Sequence, residues 1–360
     1  MLQIMRYASL LSCLAIIAVF AIASPSRGAG YTIYYESKLD DDVAIFRYDS
    51  AGPVVATPAG CISPSITSDG SMLFYSRKAV TNWGTFWNVF YMKNGDEYKL
   101  TRNEIYDEWD PMVSRDGTFA TFTSRRQENL EIITYPMDED DLAYRITESP
   151  KPDEEPALSG DGEWVYWTGR TGNHSYIFRA PGRGGATERI SADSSAWEEH
   201  PSISADGRYM AYVSIDRSVM VAETESGESE EPVETDVPKG GKPPHKYPGY
   251  GGGGDTNPEP EPETPEEEEE DSRAQAEDVE IFEAEGNSDI WVLDLRTSER
   301  TRLTSETSWD GNPCISSDGQ VIVFTSDRDG NYEIYMINRD GTGLHRLTEN
   351  DVVDDNATIT

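Results

Sequence analysis

Residues 312–338 read Asn-Pro-Cys-Ile-Ser-Ser-Asp-Gly-Gln-Val-Ile-Val-Phe-Thr-Ser-Asp-Arg-Asp-Gly-Asn-Tyr-Glu-Ile-Tyr-Met-Ile-Asn. A proline opens a short apolar strand. Asp318-Gly319 then makes a tight hairpin, since glycine accepts φ > 0 without steric cost, and an aromatic, β-branched strand returns. A polar turn at 327–331 leads to a third strand at 334–338, and a fourth ends in Arg346-Leu-Thr348. The composition of these runs is that of strands and not of an amphipathic helix.

The same text recurs outward along the chain. Ser/Thr-x-Asp-Gly followed by an aromatic-rich strand places its aspartate at 69, 116, 161, 206 and 318, at intervals of 47, 45, 45 and 112 residues. Second strands follow at 72–76, 119–123, 164–168, 209–213 and 321–325, and third strands at 87–92, 130–135, 176–180, 290–294 and 334–338. Each unit closes on a basic residue and a Leu/Ile-Thr/Ser pair, at Lys99, Arg145, Arg189, Arg302 and Arg346. One such four-stranded sheet cannot bury both faces alone and must stack on neighbours, which makes it a propeller blade. The basic residue falls on the outermost strand, where a charge is expected to discourage edge-to-edge pairing.

The chain ends supply a sixth unit. Residues 31–37, 43–49 and 54–57 match second, third and fourth strands with no first strand ahead of them, and 354–360 match a first strand that then stops. The fold expected is all-β: a six-bladed β-propeller of four-stranded blades over 31–360, closed by the C-terminal strand joining the N-terminal blade.

These repeats resemble those of the TolB-like family, a relative of the WD-repeat propellers. The resemblance rests on Asn312-Pro-Cys-Ile-Ser-Ser-Asp-Gly319, Phe324-Thr-Ser-Asp-Arg-Asp-Gly330 and Glu333-Ile-Tyr-Met-Ile-Asn-Arg-Asp-Gly341. It extends to all the repeats, with Ser68, Arg115, Gly160, Ala205 and Ser317 where the family usually has proline before Asp-Gly. It does not extend to the α/β domain that precedes the propeller in TolB. A fold of this kind does not by itself settle function.

Residues 1–23 read as a signal peptide: Arg6, an apolar run over 10–23, and small residues at Ala21-Ile22-Ala23. With 24–30 as linker, the expectation is a periplasmic or secreted protein without stable membrane insertion after cleavage. Cys61 and Cys314 fall in blades that are not neighbours, so no disulfide is expected between them. The net charge of −37 excludes a phosphate-binding nucleic-acid protein. Residues 223–278 interrupt the fifth blade with 19 acidic and 4 basic residues among Pro and Gly runs. That composition predicts an acidic disordered insertion, with the blade resuming as a strand near 279–285.

Function is expected where the loops entering each first strand gather at the channel mouth. The residue before each repeat proline, or its equivalent, is Ser63, Asp110, Glu155, His200, Asn312 or Asn356. Upstream lie further acids, Glu108, Asp153, Glu154, Glu198, Glu199, Asp310, Asp354 and Asp355, expected around the same opening. Asp110, Glu155, His200, Asn312 and Asn356 are the candidate ligand-binding residues. Their oxygen donors would suit a protein or peptide segment with basic groups, or a hard cation such as Ca²⁺. No His-Glu-x-x-His, Gly-x-Ser-x-Gly, Cys-x-x-Cys or phosphate-cradling loop is present. The first expectation is therefore a monomeric binding scaffold for a cell-envelope protein or peptide. The alternative is a metal-dependent hydrolase or lyase acting on a sugar or lactone, with His200, Asp110 and Glu155 around the ion. Trp109, Trp197 and Trp309 share one repeat position and are expected to pack between blades.

Overall fold

The structure, a computed structural model, describes residues 30–39, 42–49, 52–101, 105–127, 129–138, 142–191, 195–216, 246–247 and 288–360. Every regular element among them is a β-strand, and they form six antiparallel sheets. The expected leader, and the expected insertion apart from Lys246 and Tyr247, lie outside the described residues, as does the strand expected at 279–285.

From the axis outward, blade 1 runs Asp355–Ile359, Ile33–Leu39, Asp42–Asp49, Gly52–Val55. Blade 2 is Cys61–Ile66, Met72–Thr81, Gly84–Lys93, Asp96–Lys99. Blade 3 is Glu108–Val113, Phe119–Gln127, Asn129–Pro136, Ala143–Arg145, with the two-residue pair Lys246–Tyr247 added at its outer edge. Blade 4 is Asp153–Leu158, Trp164–Thr171, His174–Pro181, Glu188–Arg189. Blade 5 is Ala196–Ile203, Tyr209–Asp216, Ser288–Asp294, Glu299–Arg302. Blade 6 is Asp310–Ile315, Val321–Ser326, Glu333–Asn338, His345–Arg346. The ring closes as expected: Ile33 pairs with Ile359 and Tyr34 with Thr358. Thr32 N–H also donates to Thr360 Oγ1 at 3.0 Å, across 328 positions of sequence.

The core is a ring of six clusters, one at each junction between blades. Ile45 of blade 1 packs with Ile66, Leu73 and Tyr75 of blade 2, and the sixth blade meets the first through Val323, Ile334, Ile33 and Ile359. Because each blade is covered on both faces, Val321–Ser326 is buried at every position and does not alternate. Cys61 and Cys314 are buried free thiols.

The structure explains why the hairpin needs Ser/Thr-x-Asp-Gly. In blade 3, Ser114 Oγ donates to Asp116 Oδ1 at 2.7 Å, and Asp116 accepts the Thr118 N–H at 2.9 Å. Ser114 Oγ in turn accepts the Phe119 N–H at 2.9 Å, and Gly117 takes φ 76°. Blades 4, 5 and 6 repeat the serine–aspartate bond at Asp161, Asp206 and Asp318, and Thr67 makes it to Asp69 in blade 2.

Three of the basic residues ahead of Leu/Ile-Thr also pair inward with acids of the neighbouring third strand. Arg145 bonds Glu131, Arg302 bonds Asp289 and Arg346 bonds Glu333, at 2.6–2.8 Å. Each folds back onto a buried acid at the start of the third strand. Arg189 lies over the Tyr176 ring instead, 4.6 Å from its centroid.

Candidate functional site

Every first strand carries a β-bulge near the mouth, and one residue in each takes the left-handed conformation. These are Ser63, Asp110, Glu155, His200, Asn312 and Asn356, with φ between 48° and 56°. Asn, Asp and His adopt this region more readily than other L-residues, whereas for Ser63 and Glu155 it is strained. Five of the six precede proline, which fixes where the strand turns inward. The ladder slips at the same place, between Trp109 and Met112 in blade 3 and between Glu199 and Ser202 in blade 5.

All six residues line one cavity of about 300 Å³. The expected ring is thus brought together, and it is joined by Glu154 and, deeper, by Met112, Ser202, Cys314 and Thr358. The ring is polarised. Blades 3, 4 and 5 contribute Asp110, Glu155 and His200, while blades 6, 1 and 2 contribute Asn312, Asn356 and Ser63.

On the charged side, His200 Nε2 lies 2.9 Å from Glu155 Oε1. Glu155 Oε2 accepts from Thr168 Oγ1 at 2.6 Å and from the His200 N–H at 3.0 Å. Burial works against the charged imidazole, but Glu155, with Glu199 and Asp110 nearby, outweighs it and pushes the His200 pKa up to about 9. Burial likewise opposes ionisation of Glu155, and the contacts with His200 overcome it, holding its pKa below the ordinary value. Glu154 is pushed up to about 7 by burial and by the Glu155 charge, and Glu199 is raised for the same two reasons. Burial also raises Asp110, against the hydrogen bond that Ser63 Oγ donates to its Oδ1 at 2.7 Å.

The amide side is held by two acids behind it. Glu36 Oε1 accepts the Ser63 N–H and the Asn356 Nδ2–H, each at 2.7 Å, and burial pushes its pKa up to about 7. Asp355 Oδ1 accepts from Asn312 Nδ2 at 2.8 Å and Thr325 Oγ1 at 2.6 Å. Glu36 was not among the expected residues. It sits in a second strand, at the position that Ser76, Thr123, Thr168 and Thr325 occupy in other blades, so no repeat feature marks it.

Most of the upstream acids do not reach the mouth. Glu108, Glu198 and Asp310 are fully buried within their blades and pair with Arg126, Arg300 and Arg328. Asp153 accepts the Trp167 Nε1–H at 3.0 Å, and Asp354 bonds Asn350. Of the tryptophans, Trp197 packs on the cluster between blades 5 and 6, as expected. Trp309 meets Tyr332 edge-on, and Trp109 lies under Arg125.

Beneath the cavity a single side chain crosses the axis. Arg115 of blade 3, only 7% exposed, donates to the carbonyl of Ile359 in blade 1 at 2.6 Å and to that of Ile315 in blade 6. Its guanidinium is 3.7 Å from the Cys314 thiol. Nothing in the repeat announced it, since the position varies freely elsewhere.

Among the described residues no three His, Cys, Asp or Glu side chains are grouped so as to hold a metal ion. No helix among the described residues is long and apolar enough to cross a membrane.

Residues 279–360 match the family described as the TolB beta propeller domain. An uncharacterized protein of Agrobacterium fabrum is 34% identical over 61 residues, which is 17% of this chain and 21% of that relative's length. The crystal structure of TolB from Acinetobacter baumannii is similar with a TM-score of 0.61 at 16% identity, covering 94% of this chain and 68% of that one. An oligogalacturonate lyase in complex with manganese is similar with a TM-score of 0.51 at 11% identity, covering 89% and 74%. At these identities both structural likenesses are of fold alone.

Proposed function

We propose that this chain, a six-bladed β-propeller whose residues 279–360 match the TolB beta propeller domain family, is an exported binding scaffold. It takes up a basic segment of a protein or peptide partner at the acidic mouth of its central channel. The observation that carries this reading is the cavity of about 300 Å³ into which all six blades each send one left-handed polar residue.

Concave sites with a few convergent polar groups are where ligands bind. Glu155, held ionised, and Asp110 would receive an ammonium or guanidinium, and Asn312 and Asn356 would hydrogen-bond peptide groups beside it. The acidic body and the acidic stretch at 223–278 would speed the encounter with a basic partner and make it salt-sensitive. The leader-like residues 1–23 favour the periplasm or the exterior as the place of action. The hydrolase or lyase reading has only fold-level support.

The test is photo-crosslinking from position 312 in whole cells, followed by titration of the captured partner. Replacing Asp110 by Asn and Glu155 by Gln together should cut affinity by roughly tenfold or more, since truncating a charge-assisted contact typically costs about 1.5–3 kcal/mol. Capture unaffected by the double substitution would remove the mouth from the binding surface.

A further inference from the structure

The longest ladder among the described hairpins belongs to blade 2. Its second and third strands, Met72–Thr81 and Gly84–Lys93, are ten residues each. The innermost strand of the blade begins at Cys61, paired with Arg77, yet the outer ladder continues through Lys78–Trp87, Ala79–Phe86, Val80–Thr85 and Thr81–Gly84. Four further pairs at about 3.3 Å rise carry the tip ~13 Å past that point. In blades 1 and 3 the ladder runs three residues beyond the corresponding pair, in blade 4 two and in blade 6 none. First strands start at the mouth, so the turn joining second and third strands stands on the mouth side. The arm rises from the same blade that sends Ser63 into the cavity.

The tip presents apolar surface that the fold itself leaves uncovered. Val80 is 85% exposed and Trp83 73%. At the foot, Ile105 is half exposed, two residues before Asp107, whose carboxylate accepts the Trp87 N–H at 2.9 Å. The turn is braced: Thr81 Oγ1 donates to the Gly84 carbonyl at 3.1 Å and accepts the Trp83 N–H at 3.1 Å. Below it, Lys78 Nζ lies 5.0 Å over the Trp87 ring. An exposed indole on a braced turn, with only two side-chain torsions to order, costs little entropy when a partner covers it, which is why tryptophan is favoured as a binding anchor. A cluster of exposed apolar residues is otherwise a solubility liability in a monomer.

We infer that this arm is a second contact for the partner of the mouth: Trp83 and Val80 receive a large apolar side chain of the same polypeptide whose basic group enters the acidic half of the cavity. The inference rests on the reading proposed for the mouth. The occupant is a basic polypeptide segment with an aliphatic or aromatic residue beside its basic one. Charge selects the basic partner, because Asp110, Glu154 and Glu155 outnumber the one cation, His200, lining the neighbouring cavity, and the chain as a whole carries −37. The position of the arm sets the second requirement. A ligand confined to the cavity would be read by charge and hydrogen bonding, and one that also meets the arm is read for an apolar side chain at a fixed distance.

The experiment is selection of a displayed random dodecapeptide library on the whole chain and on Trp83→Ala, with Trp83→Phe as the conservative control. The expected outcome on the wild type is joint enrichment of Lys or Arg with one large apolar residue at constant separation. On Trp83→Ala the basic preference should remain and the apolar one vanish, and a selected peptide should bind about tenfold more weakly by fluorescence anisotropy, with Trp83→Phe restoring most of the loss. An apolar preference that survives Trp83→Ala, or one that never arises while the basic preference does, overturns the role of the arm and leaves the mouth reading standing. Absence of a basic preference as well overturns both. A concentration-dependent dimer of the wild type that Trp83→Ala abolishes, seen by light scattering, would give the arm to a second copy of this chain and overturn the inference.

Discussion

His200 should titrate far above an ordinary histidine, and the protein's stability should carry the signature. Its pKa is pushed from 6.5 to about 9, a shift worth ~3 kcal/mol at about 1.36 kcal/mol per unit. A third of the side chain is exposed, so solvent screening reduces the usable part to ~1–2 kcal/mol. The folded-state pKa is raised, so folding binds the proton more tightly than the unfolded chain does. The contribution is therefore complete below pH 6.5 and is lost as the pH rises through 9. Replacing His200 by Gln keeps a donor for Glu155 but removes the titration. Urea denaturation of both proteins at pH 6 and pH 9.5 should show the gap between them shrinking by ~1–2 kcal/mol at the higher pH. In parallel, the imidazole resonance absent from the His200→Gln spectrum should titrate near 9. A gap that stays flat between the two pH values, or a resonance titrating near 6.5, would refute the claim that Glu155 holds His200 charged.

Phe324, with no exposed surface between blades 5 and 6, should cost ~3–5 kcal/mol when cut to alanine, read from the urea midpoint. Asp116→Ala removes the acceptor of Ser114 Oγ, Thr118 Oγ1 and the Thr118 N–H. It should cost ~1–2 kcal/mol by the same measurement, with the other four hairpins unaffected. Arg115→Met leaves the carbonyls of Ile315 and Ile359 without their donor and should destabilise by ~2–4 kcal/mol. A change below about 0.5 kcal/mol would mean that water replaces the guanidinium at no cost.

The blades were legible in the sequence because the chemistry of each hairpin is local. The Ser114–Asp116 bond and the φ 76° of Gly117 lie within four residues of one another, so every repeat must spell them out. Ring closure was legible for a different reason: three strands without a first at one end and a first strand without followers at the other can only complete each other. At the mouth, the sequence placed the six inward residues but misplaced the acids two positions upstream. On a regular strand Glu108 and Asp110 would share a face. The bulge between Trp109 and Met112 breaks that period and sends Glu108 to Arg126 while Asp110 turns to the cavity. The roles of Glu36 and Arg115 were invisible because each acts across blades, through partners such as Ser63, 27 positions from Glu36, and Ile359, 244 positions from Arg115. Such contacts follow from the closed ring and not from any repeat.

The pairing of Thr32 with Thr360 has a consequence for how the molecule comes into being. A chain made from its N-terminus exposes the outer three strands of blade 1 early, yet that blade lacks its innermost strand until Asp355–Ile359 has emerged. Two sheet edges and the junction between blades 6 and 1 must therefore wait for that strand, and contacts of such high sequence separation form slowly. The five-residue strand Asp355–Ile359 thus acts as a latch: the ring has no seam until it is in place.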